Sequence, residues 1–150
     1  MSNKINIRKA KISDLVSIQE VFIEASVLDP KDNDHSRLKD YIKFSVTNKR
    51  ILTLVAEQEK MIVGICITQL NDIKEKEAKI LDIYVNKGVR SKGIGSKLVN
   101  EVIKSLKKKN YVNLSLYSEN NSKTLKFYKK QGFQIGRLIR RCDKMLNYLS

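Results

Sequence analysis

The richest run of chemically capable residues in this chain is VNKGVRSKGIG, from Val85 to Gly95. Gly88, Gly93 and Gly95 let a backbone turn tightly and meet a ligand with no Cβ in the way. Arg90, Lys92 and Lys97 add positive charge around the turn. A helix that starts here presents first-turn N–H groups with no intrahelical acceptor, and its dipole makes that end partly positive. The ligand such a turn suits is a phosphate, best of all a pyrophosphate. Just upstream, Asp82 interrupts the apolar run ILDIYV, where a charge is costly unless it is paired or used. His35 is the only histidine and Cys66 and Cys142 stand far apart, so a histidine-based metal cluster and a Ser-His-Asp triad are both excluded, and no metal is expected.

Two familiar phosphate loops fail on particular residues. A Walker A loop needs Lys-Ser/Thr after its second glycine; Gly88 and Gly93 have the right separation, but Ile94-Gly95 follows. A dinucleotide fingerprint needs a third glycine where this chain has Leu98.

The elements that must hold these residues can be read from periodicity. Ile80–Val85 is a strand, and Leu98, Val99, Val102 and Ile103 give the helical spacing of a helix from about Ile94 to Lys108. Before them come a strand at Ile5–Lys9, a helix from Ser13-Asp14 to about Ala25, a polar loop over 28–36, and a shorter helix over Arg37–Thr47. Ile51–Glu57 and Met61–Leu70 read as a hairpin across Gln58-Glu59-Lys60, with Gly64 marking a bulge or a close approach. After the central helix follow a strand at Tyr111–Tyr117 and a helix from Asn120-Asn121-Ser122 to Gln131, with Gly132 at its C′ position. Two closing strands are expected at Phe133–Ile139 and Cys142–Leu149. The order β-α-α-β-β-β-α-β-α-β-β predicts a mixed sheet with helices on both faces. The strands flanking the glycine-loop helix should be parallel neighbours joined by a right-handed crossover.

The chain's 150 residues predict one domain over 1–150 that buries about two-thirds of its unfolded surface. With 41% hydrophobic and 31% charged residues the composition is that of a soluble globular protein. No run is long enough for a membrane helix, and Met1–Lys11 has no apolar segment of an export signal. A cytoplasmic protein with two free thiols is the expectation, with no membrane partner. The net charge of +14 favours polyanions. Its lysines are nonetheless scattered, and the densest cluster (Lys104, Lys107, Lys108, Lys109) closes a helix, where cations suit the dipole. A nucleic-acid face is therefore not expected.

The glycine turn resembles the acetyl-coenzyme A loop of the GCN5-related N-acetyltransferases (GNAT). That family carries Arg/Gln-x-x-Gly-x-Gly/Ala after a strand, and Arg90-Ser91-Lys92-Gly93-Ile94-Gly95 fits every position. The opening IRKAKISDLVSIQEVF resembles the family's first strand and helix, with its A-x-x-x-D spacing. A second family motif, Asn-x-x-Ala-x-x-Phe-Tyr-x-x-x-Gly-Phe, is matched by Asn121, Phe127, Tyr128, Gly132 and Phe133, with Thr124 in place of alanine. The resemblance runs from Ile5 to Phe133 and implies a GNAT-like mixed, mostly antiparallel sheet.

It also implies an acetyl-CoA-dependent N-acetyltransferase acting on a primary amine by direct attack in a ternary complex. The acceptor would be a small-molecule amine, such as a polyamine, or a protein or peptide amine. On this reading the backbone from Val89 through Arg90, Ser91, Lys92, Gly93, Ile94 and Gly95 to Ser96 takes the pyrophosphate. The backbone of Ile83, Tyr84 and Val85 serves the pantetheine arm, and Asn121 anchors it from the other side. Tyr128 lies by the sulfur as general acid, and Asp82 is the expected general base, ahead of Glu57 and Glu119. Tyr84 and Tyr117 are candidates to line the acceptor pocket, and the acidic loop of Asp29, Asp32 and Asp34 hints at a cationic acceptor. Dimers are common in the family, so a homodimer is one expectation. The competing readings are an acyltransferase using a longer acyl chain, a catalytically degenerate coenzyme A-binding protein and a basic nucleic-acid-binding module.

Overall fold

The computed structural model describes residues 4–25, 35–90, 92–144 and 146. It divides into two compact units, Met1–Tyr117 and Ser118–Ser150.

The first unit is built on a sheet in the order β1-β2-β3-β4-β5: Ile5–Lys9, Ile51–Gln58, Met61–Asn71, Glu77–Val85 and Asn113–Leu116. The first four strands pair antiparallel, and β5 joins β4 in parallel after the crossover helix α3, Ile94–Lys108. Both expectations, the parallel neighbours and the mostly antiparallel sheet, hold. The β2–β3 hairpin turns through Glu59 and Lys60, both with positive φ (50° and 66°), the backbone of a type I′ turn.

Side-chain alternation assigns the layers. Ile65 and Ile67 of β3 pack with Ile18, Val21 and Phe22 of α1 (Leu15–Glu24) and with Leu38 and Ile42 of α2 (Ser36–Thr47). Gly64, one residue out of phase, faces the other way. A Cβ there would sit 3.3 Å from Leu98 and 3.4 Å from Ile94 of α3, and 3.2 Å from the Tyr84 carbonyl oxygen. The close approach expected at Gly64 is thus helix against sheet. Helices α1 and α2 cover one face and α3 the other, with Ile94, Leu98, Val99, Val102 and Leu106 as its buried stripe.

Two bulges break the ladder. Pairing steps from Ala56–Gly64 to Glu57–Ile62, leaving Val63 without an opposite residue. It also steps from Ile67–Asp82 to Thr68–Ile80, leaving Leu81 without one. An inserted residue reverses the facing of everything beyond it.

Asp14 differs from its expected capping role. A 3₁₀ turn at Ile12–Asp14 precedes α1, and the Asp14 side chain makes no cap bond to that helix. It is 8% exposed and pairs with Arg8 at 2.8 Å, while Arg8 also reaches Glu57 at 2.7 Å.

The second unit holds α4, Ser122–Lys130, which ends at Gln131 with Gly132 at φ 92°. Residues 133–144 carry no strand, so the two closing strands are absent among the described residues; the end of the second lies outside them. The Ile135-Arg137-Ile139 alternation has a strand's period, but a strand needs a ladder partner, and these residues have none here. The loop with Asp29, Asp32 and Asp34 also lies outside the described residues.

Candidate active site

The end of β4 is where the chemistry-bearing residues gather. β5 pairs with β4 only over Glu77–Ile80, so Leu81–Val85 run on past the shared ladder. A splay of this kind between parallel strands gives an extended ligand a backbone to lie along. Beyond Val85, Asn86 leads into a 3₁₀ turn at Lys87–Val89, whose first N–H (Lys87) donates to Glu24 Oε1 of α1 at 3.0 Å. Arg90 is extended, and its Nε donates to the Val85 carbonyl at 2.9 Å, folding the loop back on the strand end. Ser91 lies outside the described residues. Asn86 Oδ1 is buried with no hydrogen-bond partner among them, an acceptor that water or a ligand N–H would satisfy.

Gly93 takes the left-handed conformation (φ 74°, ψ 15°) at the N-cap of α3. A side chain there would meet nothing within 4 Å, so the space beside it is open. Gly93, as N-cap residue, has no side chain to cap the helix. First-turn N–H groups have no intrahelical acceptor and suit an anion, and Arg90, Lys92 and Lys97 are adjacent in sequence. Open space, a glycine-led helix start and positive charge fit the anionic end of acetyl-CoA.

Asp82 owes its position to the bulge at Leu81. Ile80 lies opposite Thr68 on the α3 face, and unbroken alternation would put Asp82 there too. With Leu81 inserted, Asp82 pairs with Ile67 and Tyr84 with Ile65, on the face covered by α1 and α2. Ile83 and Val85 take the α3 face. Asp82 Oδ2 accepts the hydroxyl of Tyr41, from α2, and Oδ1 accepts that of Tyr84 at 3.3 Å. Both rings set edges against Phe22 of α1, at 6.3 Å and 5.1 Å between centroids. Burial, and then the bond to Asp82, push the Tyr41 hydroxyl well above the usual phenol range, so it stays a donor.

The three candidate bases are separated by their partners. Glu57 is paired with Arg8, which it shares with Asp14. Glu119, exposed, accepts from Asn121 Nδ2 at 3.2 Å. Asp82 has two neutral hydroxyls and, among the described residues, no lysine or arginine within ion-pair distance. Tyr41 is the residue that sequence reasoning overlooked. It reads as one more member of the α2 apolar face beside Leu38 and Ile42, and only the polar tip of its ring could have marked it.

Tyr117 is 72% exposed, with Lys79 Nζ 3.9 Å from its ring centroid. Cys66 is buried and pushed up to about 12 by its burial, which makes it an inert thiol.

In the second unit, Asn121 is the N-cap of α4: its Oδ1 accepts the Thr124 N–H at 2.9 Å. Tyr128 is 8% exposed and sits between the rings of Phe127 (5.1 Å) and Phe133 (5.7 Å). The second motif is thus a capped helix with an aromatic cluster at its C-terminal end. Among the described residues no group of three His, Cys, Asp or Glu could hold a metal ion, and no helix is long and apolar enough to cross a membrane.

Comparison with known proteins bears on all of this. A model of the acetyltransferase (GNAT) family matches residues 15–133. Among curated proteins there is no match. Of solved structures, PaiA N-acetyltransferase from Thermoplasma acidophilum, in complex with coenzyme A, is 28% identical with a TM-score of 0.72, over 89% of this chain and 91% of its own. A predicted acetyltransferase from Clostridium acetobutylicum, solved with acetyl-CoA, is 21% identical with a TM-score of 0.74, over 93% and 96%. An aminoglycoside acetyltransferase from an uncultured soil metagenomic sample, in complex with sisomicin, is 16% identical with a TM-score of 0.77, over 95% and 97%.

Proposed function

Because the chain belongs to the GNAT acetyltransferase family and takes acetyl-CoA as its acetyl donor, we propose that it acetylates a primary amine by direct attack in a ternary complex, with residues 1–150 acting as one catalytic domain. The observation that best supports this reading is the end of β4. One strand offers a backbone edge beyond β5, leads into the glycine-started α3, and carries on its α1/α2 face a carboxylate that no lysine or arginine pairs with among the described residues.

The roles follow from what each residue can do. The amides at the glycine-led head of α3 hold the pyrophosphate, with Arg90 and Lys92 adding charge, while the Val89 and Arg90 N–H groups already donate to the Asn86 and Lys87 carbonyl oxygens. The backbone of Ile83, Tyr84 and Val85 aligns the pantetheine arm, and Asn121 does so through its backbone, since its side chain already caps α4. Bound acetyl-CoA supplies a thioester carbon that an amine can attack and a thiolate that leaves. An alkyl amine has a pKa of about 10 and arrives as ammonium at neutral pH, so Asp82 takes one proton to free its lone pair. Tyr128 gives its proton to the departing sulfur, the second proton that the nitrogen sheds as the amide forms returns the phenolate to phenol, and its aromatic neighbours fix the ring. The same reading makes the enzyme cytoplasmic; its support is that Cys66 and Cys142 are both free.

The acceptor belongs to the α1/α2 side. A cationic amine of the aminoglycoside kind suits an uncompensated carboxylate, as does a polyamine or a protein amine. The test is thiol release from acetyl-CoA against a panel of polyamines, aminoglycosides and N-terminal peptides. Turnover of at least one, lost in Asp82→Asn, is expected; turnover undiminished in Asp82→Asn rules out the assigned base.

A further inference from the structure

Among the described residues no lysine or arginine pairs with the Asp82 carboxylate, and its surroundings suggest which cation it would take. Each of its oxygens already accepts one neutral hydroxyl, Tyr41 from α2 and Tyr84 from β4. A carboxylate has acceptor sites left after two such bonds. Neither tyrosine can leave easily. Phe22, 2% exposed, braces both rings by their edges, and Ser45 Oγ ties to the Tyr41 carbonyl at 2.8 Å. Glu57, by contrast, already has an arginine partner, which it shares with Asp14.

We propose that Tyr41 is a positioning residue of the acceptor site, and that Asp82, Tyr41 and Tyr84 together form a subsite for an aliphatic ammonium. The hydroxyls hold the carboxylate in place and leave it acceptor sites for an ammonium. An arylamine, whose nitrogen is unprotonated at neutral pH, gains nothing from such a subsite, which narrows the acceptor class to alkyl amines. This rests on the acetyl-transfer reading, because only that reading brings an amine to β4.

Around Asp82, Tyr41 and Tyr84 share its face, Phe22 of α1 packs against both of their rings, and Cys66 of β3 lies on the opposite face. The Tyr41 hydroxyl is held well above the usual phenol range, chiefly by burial, and so stays a donor.

The test needs no knowledge of the natural acceptor. The full chain, saturated with coenzyme A, is titrated with n-pentylammonium and separately with n-pentanol, and the aromatic resonances of Phe22, Tyr41 and Tyr84 are followed by NMR. Movement of these signals with the ammonium and not with the alcohol is expected. Asp82→Asn should abolish the response, and Tyr41→Phe, which keeps the ring, should weaken the ammonium by roughly threefold to tenfold. Tyr84→Phe serves as a second variant with a smaller effect, its bond being the longer. Equal responses to ammonium and alcohol, no response at these rings, or an ammonium response untouched by Tyr41→Phe would each overturn the proposal. Coenzyme A affinity, measured on the same samples by calorimetry, reports separately: its absence condemns the acetyl-transfer reading, whereas normal affinity with an unselective ring response condemns this subsite alone.

Discussion

At the scale of single residues, the account rests on Asp82 having one role and Glu57 another. Asp82→Asn keeps the shape and the tyrosyl contacts but loses the base. The turnover number should fall by about 10²- to 10⁴-fold, with acetyl-CoA affinity unchanged, as steady-state kinetics and calorimetry would show. Glu57→Gln should leave the rate within about twofold and lower stability instead, by about 1 kcal/mol, since it removes a charge-assisted partner of Arg8. The sequence made Asp82 conspicuous as the one charge in ILDIYV, but it gave no sign of which face the side chain takes. That depends on Leu81, an ordinary strand residue in composition, left without an opposite residue by the register of a neighbouring strand. Tyr41 was invisible for a similar reason: a tyrosine on an apolar helix face declares its packing, not the acceptor its hydroxyl finds across the core.

At the scale of elements, the glycines divide into two kinds that substitution would separate. Gly93 needs its left-handed backbone but has open space beside it, so Gly93→Ala should cost about 1 kcal/mol of backbone strain, read as a lower urea midpoint, and should weaken acetyl-CoA. Gly64 needs room: a Cβ would press on the Tyr84 carbonyl and on Leu98, so Gly64→Ala should cost about 1–3 kcal/mol by forcing α3 and β4 apart. The elements were largely legible because their periods are strong. Helix α3 carries a buried stripe over four turns, and its predicted bounds match those observed. The β2–β3 hairpin was readable from its short connection, although Glu59-Lys60 lacks the Asn-Gly signature of its turn type. The strand expected at Phe133–Ile139 is missing because alternation at Ile135, Arg137 and Ile139 is a local pattern, whereas a strand is completed only by a neighbour.

At the scale of the whole molecule, charge sets the conditions under which the enzyme is stable and finds its cofactor. The Arg8 guanidinium, chiefly through its hydrogen bond, holds the Asp14 carboxyl below its ordinary range against the opposing cost of burial. A carboxylate whose folded value is lowered contributes stability that is complete above its unfolded value of about 3.9 and is lost as pH falls through the folded one. Unfolding midpoints should therefore be insensitive to this pair above about pH 5 and drop below about pH 4, and Arg8→Gln should flatten that drop while costing about 2 kcal/mol at neutral pH. The excess of +14 was legible at once, but its use was not, because scattered lysines attract any polyanion. What gives that charge a definite ligand is local: the glycine turn at the head of α3. The most direct test is calorimetric titration of the whole chain with acetyl-CoA, beside Gly93→Asp, which puts a carboxylate where the pyrophosphate should lie. The account predicts one-to-one binding that vanishes in the variant. No binding by the native chain, or binding that survives the substitution, would contradict it.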